Sequence, residues 1–305
     1  MNDDADNTSR VMRVAASFGA RFELTPDGLP SADPIPARPR GKKLKPVAGD
    51  FVRARPLEGE KDWQIEEVLE RASALDRTDT RGRRELLAAN VSMMVIVLAP
   101  QPQPDFFIAD RYLAAAELMP CKAAIVWNKS DIAAPEAEVE VYRALGYHVI
   151  NASNKNHDGI GALRDIMRGE LSVFVGQSGV GKSTLVNTLS GGDVQRTGSV
   201  SSANLEGRHT TVSARLITLD TDIQVIDSPG VRDYAPGIIE PREVARGFRE
   251  IHAAAAGCRF ADCMHRAEPD CEVKAQVETG KISDRRYRSY LRLAQINRQL
   301  GADRY

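Results

Sequence analysis

The stretch Gly176-Gln177-Ser178-Gly179-Val180-Gly181-Lys182-Ser183-Thr184 fits GxxxxGK[ST], and no other segment limits the fold so sharply. An apolar run, LSVFV, precedes it, and a helical pattern, KSTLVNTLSG, follows it. Strand, glycine-rich turn and helix in that order point backbone N–H groups inward around a polyanion. The start of the helix adds the positive end of its dipole. On this reading the backbone of Gly176–Gly181 cradles phosphates, Lys182 neutralises the β- and γ-phosphate oxygens, and Ser183, followed by Thr184, ligates Mg²⁺. A plain Gly/Ser loop is the bland alternative, and the flanking strand and helix argue against it. The motif selects nucleotide phosphate and is silent on the base.

The surrounding text alternates between buried strands and amphipathic helices. ANVSMMVIVLAP is apolar throughout, as a strand covered on both faces should be. DFFIADRYLAAAELM repeats apolar residues at helical spacing (Phe107, Tyr112, Ala115, Met119) until Pro120. KAAIVWNKSD, EAEVEVYRALGY, HVINAS and GIGALRDIMRG continue as strand, helix, strand and helix. This spacing predicts an open parallel sheet with helices on both faces and its loops gathered at the strand C-terminal ends.

One such loop is Asn128-Lys129-Ser130-Asp131. A carboxylate there accepts from both N1–H and the exocyclic amine of guanine. Adenine lacks the N1 donor, so Asp131 discriminates by leaving polar groups unpaired. Lys129 would lay its stem across the ring, and Asn128 would tie neighbouring loops together. The bland alternative is a helix-capping turn. Ala152 and Ser153, ending the next strand, could offer backbone N–H to the guanine carbonyl.

Asp227-Ser-Pro-Gly230 ends another apolar strand. Asp227 would hold Mg²⁺ through water, and the Gly230 amide would reach the γ-phosphate. Gly207-Arg208-His209-Thr210-Thr211 lies in a polar stretch before it; Thr210, or Thr211 beside it, is the candidate Mg²⁺ ligand that engages when γ-phosphate is present. Val231 stands where Ras-like switches carry a water-orienting Gln, so unaided hydrolysis should be slow. His209 is a candidate for orienting the water, against an ordinary loop histidine. The order is itself unusual: base reader, phosphate loop, then DxxG. Because these loops meet on one sheet edge, a permuted order still assembles them.

Either side of this block the chain changes character. Residues 1–9 are acidic and polar, unlike a signal peptide, and the longest apolar run is far short of a membrane span. Residues from Val11 to about 76 carry several short β-like segments separated by a Pro/Gly-rich loop from Thr25 to Arg40, which suggests a small barrel. A charged link, Arg77 to Glu85, follows. Beyond Pro241 the pattern is helical. Cys258-x4-Cys263-x-His265-x5-Cys271 offers three thiolates and an imidazole, a set suited to one structural Zn²⁺. Cys121 stands apart as a structural thiol. With 41 Lys+Arg against 42 Asp+Glu, the protein is not globally basic, so any nucleic-acid contact must be local. Candidates are the Arg38–Lys45 run and one face of the last helix, Arg285, Arg288 and Arg292 with Tyr287 and Tyr290 interleaved.

Taken together, NKSD before GQSGVGKST before DSPGV, then the Cys₃His set, resembles the bacterial small-ribosomal-subunit-dependent, circularly permuted GTPases of the RsgA (YjeQ) family. The resemblance spans roughly Val11 to Leu300. After a tail (1–9) whose acidic, polar residues read as flexible, it implies a multidomain protein: an OB-like RNA-binding barrel (10–76), a central α/β permuted P-loop GTPase (77–240) and a mostly helical zinc-binding domain (241–305). It further implies GTP/GDP, Mg²⁺ and one structural Zn²⁺ as cofactors, and the small ribosomal subunit and its rRNA as partners. It also implies late-stage subunit maturation with subunit-stimulated hydrolysis. A cytoplasmic monomer without membrane contact is expected. Two other classes stay open on the residues alone: a small-metabolite phosphotransferase, and a nucleotide-gated RNA-binding module with negligible catalysis.

Overall fold

The computed structural model describes residues 8–26, 33–78, 84–191, 214–220, 222–227, 240 and 242–302. The candidates His209, Thr210, Thr211, Gly230 and Val231 lie outside them.

Five N-terminal strands, β1 (Arg10–Phe18), β2 (Arg21–Pro26), β3 (Ile35–Pro39), β4 (Phe51–Pro56) and β5 (Trp63–Val68), pair in the order β1-β2-β3-β5-β4, and β4 pairs back to β1. The ring is therefore closed. Its β3–β5 pair is parallel and the others antiparallel, which is the expected OB-type barrel. Period-two alternation sends Met12, Val14, Phe22, Leu24, Val52 and Ile65 inward. β3 corrects the expectation of a continuous loop from Thr25 to Arg40. Two of its five residues are proline and only Ala37 is buried, so it carries too little alternation to be visible as a strand.

Both described ends of the charged stretch 77–85, residues 77–78 and 84–85, are strand and not link. β6 (Ala74–Thr78) and β7 (Arg84–Ala89) form a separate antiparallel hairpin, with Arg77 ion-paired to Glu85 at 2.8 Å. The boundary expected after residue 76 falls inside β6.

The central unit contains β8 (Met93–Leu98), α1 (Phe106–Leu118), β9 (Lys122–Trp127), α2 (Ala137–Ala144), β10 (His148–Asn151), α3 (Ile160–Met167), β11 (Leu171–Val175), α4 (Lys182–Leu189), β12 (Ala214–Asp220) and β13 (Ile223–Asp227). β10, β9, β8, β11 and β13 are parallel neighbours in that order. β8 serves both faces of this sheet: Met94, Ile96 and Leu98 pack with Tyr112, Leu113 and Tyr142, while Met93, Val95 and Val97 pack with Leu163, Met167 and Leu185. The sheet is not wholly parallel as expected. Two residues separate β12 from β13, a span that permits only an antiparallel hairpin. β12 also pairs antiparallel with β1, so the barrel and the central sheet form one hydrogen-bonded series of 11 strands. Arg13 on β1 donates to Gln224 on β13 at 2.8 Å across this junction.

The C-terminal unit has a 3-10 turn (Val244–Gly247), α5 (Arg249–Ala255), α6 (Glu272–Glu278) and α7 (Asp284–Ala302). It packs on α1. Gly247 lies so close that a Cβ there would sit 2.7 Å from that of Ala114. Among the described residues no helix is long and apolar enough to cross a membrane.

Candidate nucleotide site and metal centre

The phosphate loop leaves β11 at the C-terminal edge of the sheet, and α4 begins at Lys182. Its lysine ammonium donates to the Gly176 carbonyl at 2.7 Å and the Gln177 carbonyl at 2.8 Å, inside the cup where phosphates would lie. Ser183 and Thr184 follow in the first turn of α4, exposed. Ser178 and Gly179 are exposed at the loop tip. Gly181 has φ +95°, and a Cβ there would be 2.4 Å from Asn128 Nδ2. Both constraints demand glycine.

β9 delivers the base-reader loop to the same edge. Asn128, fully buried, donates from Nδ2 to the Val180 carbonyl at 2.8 Å. Lys129 adopts φ +58° and its ammonium donates to Gly179 O at 2.8 Å and Gln101 O at 2.7 Å. The side chain thus bridges the phosphate loop and the segment after β8. Ser130 donates its N–H to Ala152 O. Asp131 is exposed, and its Oδ1 accepts from the Ser153 hydroxyl at 2.6 Å. That hydrogen bond, chiefly, holds the Asp131 carboxyl below its usual range.

Ala152 and Ser153 correct one expectation. Their backbone N–H groups are engaged, Ala152 to Trp127 O and Ser153 to Asp158 O, rather than presented to a base. The contribution of Ser153 is its side chain. Asn154 joins it, donating from Nδ2 to Asn128 Oδ1 at 3.3 Å. Gln177 was expected to act through its backbone. Its side chain also works: Oε1 accepts from the Asp105 N–H at 2.9 Å, and Nε2 donates to Gln103 O at 3.2 Å. No sequence motif marks Asn154 or the Gln101–Asp105 segment. They matter because the fold places them beside the loops that motifs do mark.

Asp227 ends β13, which is parallel to β11 with Val173 opposite Ile226. It therefore reaches the same edge as the phosphate loop. The Gly230 amide and the Thr210/Thr211 and His209 candidates fall outside the described residues.

The second centre lies in the loop between α5 and α6. One ligand atom from each of Cys258, Cys263, His265 and Cys271 falls within 4.8 Å of the other three. Cys258 Sγ is 3.8 Å from Cys271 Sγ, and both are 3.5 Å from His265 Nδ1. Tetrahedral zinc with ordinary Zn–S and Zn–N bonds requires edges of about 3.8 Å and 3.5 Å. The donor set and its spacing fit the ion. Burial lowers the His265 pKa, favouring the neutral imidazole a metal needs. Glu268, unmarked by any motif, braces the loop by accepting N–H bonds from Met264, Arg266 and Ala267 at 2.9, 2.7 and 3.0 Å. Burial opposes its ionisation, yet these bonds prevail and draw its pKa to about 2. Tyr287 and Tyr290 of α7 donate their hydroxyls to His265 O at 2.6 Å and Met264 O at 2.8 Å.

These bonds correct the expectation of an open basic and aromatic face on α7. The tyrosines are used inward. Arg285 is ion-paired to Asp110 at 2.7 Å; Arg292 stacks 3.9 Å over Phe107 but stays exposed, as does Arg288. The neighbouring Arg286 is fully buried, 2.8 Å from Asp110 and 2.7 Å from Glu250.

A closed five-stranded barrel, a phosphate-loop sheet whose base reader precedes that loop, and a Cys₃His module define a circularly permuted GTPase. The comparisons agree. The model of the RsgA GTPase family matches residues 68–235. A small ribosomal subunit biogenesis GTPase RsgA of Ectopseudomonas mendocina is 42% identical over 286 residues, covering 91% of this chain and 82% of the relative. Its counterpart in Neisseria meningitidis FAM18 is 39% identical, covering 94% and 90%. Among solved structures, YloQ, described as a circularly permuted GTPase, aligns with TM-score 0.73 at 26% identity, covering 98% of both chains. YjeQ from Thermotoga maritima aligns with TM-score 0.73 at 28% identity, covering 95% of this chain and 99% of its own. This chain belongs to the RsgA GTPase family and is a GTP hydrolase.

Proposed function

We propose that this GTPase acts in late maturation of the small ribosomal subunit, docking on it with GTP bound and leaving after hydrolysis. The names of the relatives above support the partner. The observation that carries the site is the pair of hydrogen bonds from Asn128 and Lys129 to the carbonyls of Val180 and Gly179. They join the base reader to the phosphate loop despite their reversed order. In this reading Asp131 recognises guanine, with Ser130 and Ser153 shaping its loop. Gly176–Gly181 and Thr184 surround the phosphates. Lys182 leaves the Gly176 and Gln177 carbonyls for phosphate oxygens. Ser183, Thr210 and Asp227 hold Mg²⁺, whose charge offsets that developing on the phosphates. The Gly230 amide meets the γ-phosphate and His209 orients the water. Cys258, Cys263, His265 and Cys271 hold one structural zinc.

For rRNA the exposed Arg40, Lys42, Lys43 and Lys45 beside the barrel supply a local positive edge. Arg38 in the same run is ion-paired to Glu60 at 2.7 Å. The protein works in the cytoplasm as a monomer. The deciding measurement is phosphate release from GTP and from ATP, with and without purified small subunits. We expect slow GTP turnover alone, a rise of at least about tenfold on the subunit, and none with ATP. Equal rates with and without subunits would defeat the proposal, and a phosphorylated metabolite in place of free phosphate would replace it with a kinase.

A further inference from the structure

Lys182 has two alternative sets of partners: the Gly176 and Gln177 carbonyls that it contacts here, and the phosphates of a bound nucleotide. When it changes sets, the backbone of Gln177 loses a hydrogen bond. The side chain of this same residue grips the start of α1, through Asp105 N–H and Gln103 O. Asp105 is also the N-cap of α1, accepting from Phe107 and Ile108 N–H. Lys129 adds a second tie between the phosphate loop and this segment, through Gly179 O and Gln101 O.

Five residues after its cap, α1 carries Asp110, fully buried and held by three donors. Arg285 binds one of its oxygens, and Arg286 and the Tyr142 hydroxyl bind the other, at 2.7, 2.8 and 2.7 Å. Removing one partner of a buried ion pair is costly, so Asp110 fastens α1 to α7. α7 in turn grips the zinc loop through Tyr287 and Tyr290. The series from phosphate loop to zinc loop is continuous and passes entirely through described residues.

We propose that α1 is the element that carries the state of the phosphate loop to the zinc module, with Asp110, Arg285 and Arg292 as positioning residues at its far junction. The route is distinct from the covalent one through residues 228–243. It rests on the guanine-nucleotide site argued above.

Hydrogen exchange on the full-length, zinc-loaded chain tests it, without nucleotide, with GDP, and with a non-hydrolysable GTP analogue. Guanine-nucleotide affinity is measured in parallel with a fluorescent GDP. In the unaltered chain, exchange in α1 and α7 should change by about threefold or more when nucleotide binds. Arg285→Met should keep nucleotide affinity within about twofold while the response of α7 falls to less than half, Arg286 still holding Asp110. Arg292→Ala removes the stacking over Phe107 without opening the buried pair, and should lower the response of α7 by about half. If Arg285→Met does not fold, Arg292→Ala decides. The readout is the nucleotide-dependent difference, which a merely destabilising change would not abolish at full occupancy. A full response of α7 in the variants would place the signal in residues 228–243 and overturn the inference, as would no response in an unaltered chain that binds nucleotide. Failure of that chain to bind guanine nucleotide at all would overturn the functional reading and the inference with it.

Discussion

Asp131 and Ser153 show how one residue sets another's chemistry. The proposed guanine recognition requires the ionised Asp131 carboxylate, and the Ser153 hydroxyl at 2.6 Å favours that form. Because the pKa is lowered, guanine affinity should persist as pH falls through the usual carboxylate range and fail only below it. Ser153→Ala raises the Asp131 pKa, so affinity should begin to fall at higher pH. Fluorescent-GDP titrations over about pH 3–6 would show the displaced midpoint. Superimposable profiles would remove Ser153 from this role. Asp131→Asn should weaken GTP by about a hundredfold, since an amide cannot accept from both guanine donors. It should at the same time admit xanthosine triphosphate, whose O2 accepts from the new amide. Competition binding separates this from a general loss of affinity.

At the scale of elements, the phosphate loop is shaped as much by its neighbour as by its own glycines. Gly181→Ala meets both an unfavourable positive φ and the Asn128 amide. We expect about 1–3 kcal/mol of destabilisation in urea unfolding and at least about tenfold weaker nucleotide binding. The zinc loop is the second case. Its four ligands come from irregular backbone, and the two tyrosine hydroxyls of α7 end on its carbonyls. Free energy of metal binding, on the order of 10 kcal/mol for such sites, is then folding free energy. Metal analysis should find one zinc per chain. Chelation should expose α7 to proteolysis while leaving the barrel protected. Equal protection of α7 with and without metal would contradict this dependence.

For the whole molecule, the cluster of Asp110, Arg285, Arg286, Glu250 and Tyr142 fastens the C-terminal unit to the central sheet. Arg286→Met leaves Glu250 without its buried cation and Asp110 with only part of its partnership. It should cost about 3–5 kcal/mol, measured by urea unfolding. A cost below about 1 kcal/mol would mean that the junction opens in solution and hydrates its charges.

What the chain determined locally is what depends on neighbours in sequence. The phosphate loop, NKSD and the Cys₃His spacing each place their donors within a few residues, so residue type and spacing suffice. The β8 and β11 runs were legible for the same reason: burial on both faces leaves an unbroken apolar string. Tertiary structure decided the remainder. β3 became a strand because β2 and β5 flank it, against the preference of its prolines. β6 and β7 became a hairpin across charged residues. Of the residues that α7 presents in sequence as a face for RNA, Arg285, Tyr287 and Tyr290 were drawn inward by Asp110 and the carbonyls of the zinc loop. Ser153, Gln177 and Asn154 acquired their roles from loops brought to one sheet edge. A charge or hydroxyl has no fixed direction until something distant in sequence is folded against it. The two parallel neighbours of β8, namely β9 and β11, are what bring the base reader and the phosphate loop together whatever their order along the chain.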